Sequence, residues 1–235
     1  MAKKKPQISE MDINARAAQM KRSLTFIILA VMIMSLIMCN APGRDLLYGD
    51  IYQTLVNRTH RLPDGWLDIV ELVPAKNSLG EENLVEKETL THFEALRSEL
   101  LEEGIDIEID SAYRSVEDQR VLYEEFKERY GDEVDNIAAK PGYSEHHTGL
   151  VIDVFLIDNG KEIRDNDDLY AAEELFAKIH PHLADHGFIL RYPKGKEEIT
   201  GYDYEPWHFR YVGVETAKKI TGQGATLEEY LGETS

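Results

Sequence analysis

The chain has 235 residues and a formal net charge of -18, from 26 Lys and Arg against 44 Asp and Glu. So acidic a composition argues against nucleic acid binding, which wants a basic face, and nothing in it calls for an obligate protein partner. The single cysteine, Cys39, excludes an intrachain disulfide and a cysteine-based zinc site.

Residues 1–22 carry six Lys or Arg against Glu10 and Asp12, and Leu24 to Cys39 then runs without a charge. With Ser23 and Asn40 to Pro42 this run approaches the ~20 residues of a membrane span. A cleaved signal peptide is the competing reading, with an apolar region of typically about 7–15 residues, but no small-residue cleavage site is evident before Cys39. The expectation is a cytoplasmic basic tail over 1–22 and one N-terminal transmembrane helix over 23–42. A juxtamembrane connector over 43–61 and an extracytoplasmic domain over 62–235 follow. Basic residues ahead of a span keep the N-terminus inside, which makes the protein a single-pass protein of the cell membrane.

Within the domain, Leu62-Pro63-Asp64-Gly65 is turn chemistry. Glu81 to Leu101 places Val85, Leu90, Phe93, Leu96, Leu100 and Leu101 on one face, which predicts a helix closed by Gly104. Ile105 to Asp110 alternates as a half-buried strand does. Ser115 with Asp118 resembles a capping box and opens a helix with Val116, Leu122, Tyr123, Phe126 and Tyr130 as its apolar residues. Arg114 therefore sits at a strand-to-helix junction. Gly131 to Tyr143 reads as a loop, and Leu150 to Ile157 as a buried strand. Asp167 to His186 predicts a third helix, perturbed by Pro181 and closed by Gly187. Phe188 to Tyr192 and Trp207 to Val212 are strands, joined by a polar connection, and a short helix and an acidic tail end the chain. The fold class is α+β, a small and mainly antiparallel sheet with packed helices.

Two stretches carry chemistry: Ser144-Glu145-His146-His147-Thr148-Gly149-Leu150-Val151-Ile152-Asp153 and Glu205-Pro206-Trp207-His208. Zinc accepts imidazole and carboxylate ligands, and a catalytic zinc typically has three protein ligands and one open position. His146, Asp153 and His208 are the candidate ligands, and Glu205 the candidate general base. The spacing of His146 and Asp153 would put them roughly 10 Å apart on a helix or about 23 Å apart on a strand. The chain must therefore fold back at Thr148-Gly149, where glycine allows it. Asp153 inside an apolar strand is costly unless it is paired or metal-bound.

Ser-x-His-x-x-Gly-x-x-x-Asp followed by Glu-x-Trp-His resembles the zinc D-alanyl-D-alanine carboxypeptidases of the VanY type, in the wider group of lysostaphin, the D-Ala-D-Ala peptidases and Sonic hedgehog. The resemblance runs from about Asn57 to Gly213 and includes Tyr113-Arg114-Ser115, Gly187 to Pro193 and Tyr204 to Gly213. Val151 stands where the pattern usually has Ala, and His147 where Gln is common; neither is a candidate ligand. The motif spacing favours His146 over His147. His60, His92, His180, His182 and His186 read as surface or helix-face residues, and the last three have no matching carboxylate motif.

The resemblance implies Zn2+ as cofactor and peptidoglycan stem peptides as substrate, with the C-terminal D-alanine removed. It also implies Arg114, Gln119, Ser144 and Tyr192 as the groups around the terminal carboxylate and residue. A guanidinium fork pairs bidentately with a carboxylate, which a carboxypeptidase must hold. Three alternatives stand beside this reading. An L,D-carboxypeptidase would act on tetrapeptide stems; an endopeptidase would cut mid-chain, where Arg114 and Gln119 would find no carboxylate. A non-catalytic zinc-containing cell-wall binding module would not need Glu205.

Overall fold

A computed structural model describes residues 51–233. The expected tail over 1–22, the anchor over 23–42 and the first part of the connector lie outside the described residues. Among the described residues no helix is long and apolar enough to cross a membrane. The compact unit begins at Ile51 rather than at Leu62, because residues 51–61 are bound to the domain rather than leading loosely into it. Val56 is fully buried, Asn57 Nδ2 donates to Glu228 Oε1 at 3.2 Å, and the carbonyls of Tyr52 and Thr54 accept from Arg210.

Leu72–Lys76 (β1) and Glu82–Glu86 (β2) form a two-stranded antiparallel hairpin. A helix from Glu81 was the expectation; the helix α1 spans Lys87–Glu102. Its buried positions, Thr89, Phe93, Leu96 and Leu100, recur at helical spacing only after Glu86. Glu86 itself is extended and caps the helix, accepting from the N–H groups of Glu88 and Thr89.

Five antiparallel strands make the main sheet: β3 (Asp106–Ser111), β4 (Val151–Asp158), β5 (Lys161–Ile163), β6 (Phe188–Leu190) and β7 (His208–Tyr211). The path is β3-β4-β7-β6, and β4 is its organising strand. One edge of β4 is taken by β3; the other is divided, β7 pairing Val151 to Asp153 and β5 pairing Leu156 to Asp158. Side chains alternate across a strand. Ile152, Val154 and Leu156 of β4 join Ile107, Ile109, Phe209 and Tyr211 in a core packed with Phe93, Leu96 and Leu100 of α1. Each such side chain fully buried contributes about 1.5–3 kcal/mol. The same alternation turns Asp153, His208 and Arg210 to the opposite face.

The helix α2 spans Val116–Tyr130, and Ser115 caps it by accepting from the Asp118 N–H at 3.0 Å. Its apolar residues do not enter the core: Gln119 is its buried position, while Leu122 and Phe126 line a cleft. Residues expected as a loop over 131–143 include the helical turns Gly131–Glu133 and Val134–Ile137. The single helix expected over 167–186 is three pieces, Asn166–Ala171, Glu173–Ile179 and a 3-10 helix His180–His186. Pro181 has no N–H to give to a continuing helix, so it stands in the first turn of a new one. The polar connection holds a turn of helix at Glu197–Thr200, and the chain closes on helices Val214–Gln223 and Leu227–Leu231.

A neutral network of two guanidiniums and two carboxylates lies under the sheet face that carries Asp153. Glu145 Oε1 accepts from Arg191 Nε and from Arg210 Nη1, each at 2.8 Å. Arg191 also forks onto Glu228 at 2.9 and 2.6 Å, and both arginines are fully buried. Arg191 follows β6 directly, so the strand ends at Leu190 where its expected span ran to Tyr192. Arg191→Met keeps side-chain length and strips the charge from beside two buried carboxylates. Removing one partner of a buried pair typically costs about 3–5 kcal/mol. Urea unfolding should show that loss with an unchanged slope, while Lys76→Met at the exposed Lys76–Glu82 pair should leave the midpoint within error. An unshifted midpoint in Arg191→Met would remove the network from the forces holding the domain.

Candidate metal centre and active site

Three elements deliver the candidate ligands. Asp153 and His208 are direct register partners across β4 and β7, so pairing alone sets their side chains together on one face. His146 lies on the short 3-10 helix Glu145–Thr148, which Ser144 caps and Gly149 ends at φ +73°. A Cβ at Gly149 would lie 2.5 Å from Leu72 Cδ2, so both the backbone angle and the space reserve the position for glycine. The chain folds back there, and His146 reaches Asp153.

One nitrogen or oxygen from each of His146, Asp153 and His208 lies within 4.8 Å of the others. His146 Nε2 is 3.1 Å from Asp153 Oδ2, and His208 Nδ1 is 2.9 Å from Asp153 Oδ1. Burial pushes the Asp153 carboxyl up, but the His146 and His208 imidazoles outweigh it and hold the group well below the usual carboxylate range. Asp153 Oδ1 is nonetheless buried without a hydrogen bond. Two imidazoles and a carboxylate with an unsatisfied buried oxygen are the donor set zinc takes, so these residues fit the ion.

The rings are oriented from behind. His146 Nδ1 faces the Ala112 carbonyl at 2.6 Å, which leaves Nε2 for the cluster. His208 Nε2 faces Glu145 Oε2 at 3.6 Å, and neither atom has a hydrogen bond. Burial raises the Glu145 carboxyl, but Arg191, Arg210 and His208 more than offset it and keep it ionised. His147 points elsewhere: its Nε2 accepts from the Gly142 N–H at 3.0 Å, so its Nδ1–H donates to the Arg114 carbonyl at 2.7 Å. Both of its nitrogens brace backbone and neither is left for an ion.

Glu205, Arg114, Gln119, Ser144 and Tyr192 line the same cleft of about 240 Å³ as the three ligands. Glu205 Oε2 is 3.4 Å from His208 Nδ1. Arg114 Nη1 donates to Gln119 Oε1 at 2.9 Å and Nη2 to Ser111 Oγ at 3.1 Å. Gln119 Nε2 is spent on the Ala139 carbonyl at 2.8 Å, so the amide is fixed with its oxygen toward Arg114. Burial lowers the Arg114 pKa, partly offset by Asp153 and Glu205. The Tyr192 ring packs on His208 with centroids 4.7 Å apart. The structure thus gathers all eight residues singled out from the sequence. Glu145, Arg191, Arg210 and Glu228 were not among them. Arg191 and Arg210 stand against apolar residues, as in Phe188-Ile189-Leu190-Arg191, while Glu145 and Glu228 lie in polar stretches that give no such signal.

Residues 82–214 match the family described as VanY, D-alanyl-D-alanine carboxypeptidase. The bifunctional D-Ala-D-Ala dipeptidase and D-Ala-D-Ala carboxypeptidase VanXYC of Enterococcus gallinarum is 44% identical over 133 residues, 53% of this chain and 66% of that protein. The chain therefore spans a little under two thirds of the length of the curated relatives it matches first, at 66% in both. A mutant of the vancomycin resistance D,D-pentapeptidase VanY from the VanB-type cassette, in complex with Zn(II), superposes with a TM-score of 0.64 at 30% identity, covering 77% of this chain and 99% of that one. The LD-carboxypeptidase LdcB superposes at 0.66 with 33% identity, over 77% and 86% of the two chains. With the ligand cluster, the cleft and most of the sheet inside the matched segment, this chain belongs to the VanY D-alanyl-D-alanine carboxypeptidase family.

Proposed function

We propose that the domain is a zinc-dependent carboxypeptidase that removes the C-terminal D-alanine from peptidoglycan stem peptides. The observation that carries this reading is Arg114, whose side-chain hydrogen bonds go to the neutral Gln119 and Ser111 in the cleft of the ligand cluster. In a chain of net charge -18, such a cation suits a substrate carboxylate, and only an exopeptidase substrate carries one beside the bond to be cut. The D-Ala-D-Ala activities of the E. gallinarum relative and the zinc bound by the VanB-type neighbour support the same reading.

Held by His146, Asp153 and His208, zinc supplies a Lewis acid that polarises the scissile carbonyl and lowers the pKa of water toward ~7. The remaining work falls to the chain. Arg114, steadied by Gln119, holds the terminal carboxylate, and Ser144 and Tyr192 wall the space for the terminal residue. Glu205 takes the proton of the attacking water; as the C–N bond breaks, it returns that proton to the leaving amine. Glu145 faces His208 Nε2 and favours the proton there, which frees Nδ1 to act as a ligand.

A second reading, an L,D-carboxypeptidase of tetrapeptide stems, draws on the likeness to LdcB. Both substrates end in D-alanine, so Arg114 serves either. Purified protein should release D-alanine faster from pentapeptide than from tetrapeptide stems; the reverse order would favour the L,D activity, and no release from either would defeat both.

His146→Ala and His208→Ala should each lose the zinc of the cleft, one ion per chain, while His147→Ala keeps it. Glu205→Ala should keep the metal and lose turnover by about 10²–10⁴-fold, the usual weight of a general base. Full metal in both ligand variants, or near-normal turnover in Glu205→Ala, would remove these assignments.

Arg114→Ala should weaken kcat/KM on free-acid stem peptides by about 1.5–3 kcal/mol, the range for a hydrogen bond to a charged group. A C-terminally amidated peptide should be a poor substrate of the wild type and lose little more in the variant. Equal losses on acid and amide would make Arg114 a structural residue and bring the endopeptidase forward.

The same proposal extends to location: residues 23–42 anchor the domain outside the cytoplasmic membrane. The support is six basic residues ahead of an uncharged run. Protease added to intact spheroplasts should shave the domain off, and complete protection beside a digested external control would refute the topology.

A further inference from the structure

A second group of histidines and carboxylates lies in the helix layer, on the far side of the sheet from Asp153 and His208. His182 and His186, on the 3-10 helix His180–His186, meet Glu99 and Glu103 from the end of α1. Glu99 is shared by two rings, with His182 Nδ1 at 2.7 Å from its Oε1 and His186 Nε2 at 2.6 Å from its Oε2. His182 Nε2 also stands 3.6 Å from Glu103 Oε2. One donor atom each from Glu99, Glu103 and His182 falls within 4.8 Å of the others, the same closeness as in the catalytic cluster.

Three features separate this group from an ordinary surface ion pair. The imidazoles are mostly covered, at 20% and 15% exposure, while the carboxylates are open to solvent at 44% and 50%. The covered rings thus sit behind carboxylates that solvent reaches. Among the described residues no lysine or arginine pairs with Glu99 or Glu103; their charged neighbours are the two histidines. Lys218, the cation near this 3-10 helix, is engaged by Asp185 at 2.7 Å. With both rings neutral the group carries two negative charges and no fixed counter-charge, which a divalent ion neutralises.

We infer that Glu99, Glu103 and His182 form a second site for a divalent first-row transition ion, with His186 holding the other oxygen of Glu99. The mixed imidazole and carboxylate set suits zinc, cobalt, nickel or copper better than magnesium or calcium. The second carboxylate oxygen engaged by His186 fixes how Glu99 presents the first. An ion here clamps the end of α1 to the segment 180–186. That segment also meets the catalytic cleft from behind, through His180 Nε2, which donates to the Pro206 carbonyl at 2.9 Å. The site is independent of the proposed reaction, since none of its residues lines the cleft.

Equilibrium dialysis of the purified full chain against Zn(II) tests the inference. Wild type should saturate at two ions per chain, and His208→Ala should keep one. Glu103→Gln, which leaves the short contacts of His182 and His186 with Glu99 intact, should fall from two to one with turnover unchanged, and His182→Gln should do the same. In a His208→Ala background, Zn(II) should raise the thermal midpoint, and adding Glu103→Gln should abolish the rise. Wild type saturating at a single ion that His208→Ala loses would overturn the second site and leave the catalytic one standing. A second ion that survives both Glu103→Gln and His182→Gln would overturn the assignment of ligands.

Discussion

A carboxylate buried behind a histidine is tolerable only if positive charge answers it, and the domain is built around that answer. Glu145 sits between the far side of His208 and two fully buried guanidiniums. Arg210 comes from β7, Arg191 from the end of β6, and Glu228 from the last helix balances the count. Backbone carbonyls of residues 52 and 54 accept from Arg210 Nη2. Both ends of the described chain are therefore tied to the loop that carries His146. Such a network rarely exceeds an apolar core in stability. What it supplies is a fixed direction for a ligand ring, and a metal site depends on that direction.

The legibility of the site followed from contrast. Asp153 stood out because a carboxylate in Leu150 to Ile157 has no business there without a partner, and β4 is indeed the central strand. The α2 cap was readable because Ser115 and Asp118 are close in sequence and act locally. The β1–β2 hairpin was not, since Pro74 interrupts one strand and Glu82 and Glu86 bound the other. The break of the helix at Pro181 was visible, but not that three separate pieces would result. Arg191, Arg210 and Glu145 were hidden for a different reason. Their partners are far away in sequence, and a charged residue beside an apolar strand looks the same whether it snorkels to water or closes a buried pair.

One cation in the cleft, Arg114, runs against the charge of the chain. Asp153 and Glu205 give the cleft negative potential near the ligand cluster, yet Arg114 is held by an amide and a hydroxyl rather than by either acid. Gln119 is the device that allows this. Its nitrogen is committed to Ala139, which leaves only its carbonyl oxygen to face the guanidinium. A carboxylate at that position would neutralise the arginine and waste it; an amide orients it and leaves its charge uncommitted.

The opposition of Asp153 and His208 across β4 and β7 has a bearing on how the protein matures. A slip of one residue would send His208 into the core and Phe209 into the cleft, so the apolar alternation that seats Phe209 is what assembles the ligand pair. Small zinc domains stay unfolded until the ion gathers their ligands. Here strand pairing and the buried charge network also set the ligand side chains in place, so the ion is not the sole force that gathers them. Where the fold itself places the ligands, a bound ion adds to a stability that strand pairing and the charge network already supply.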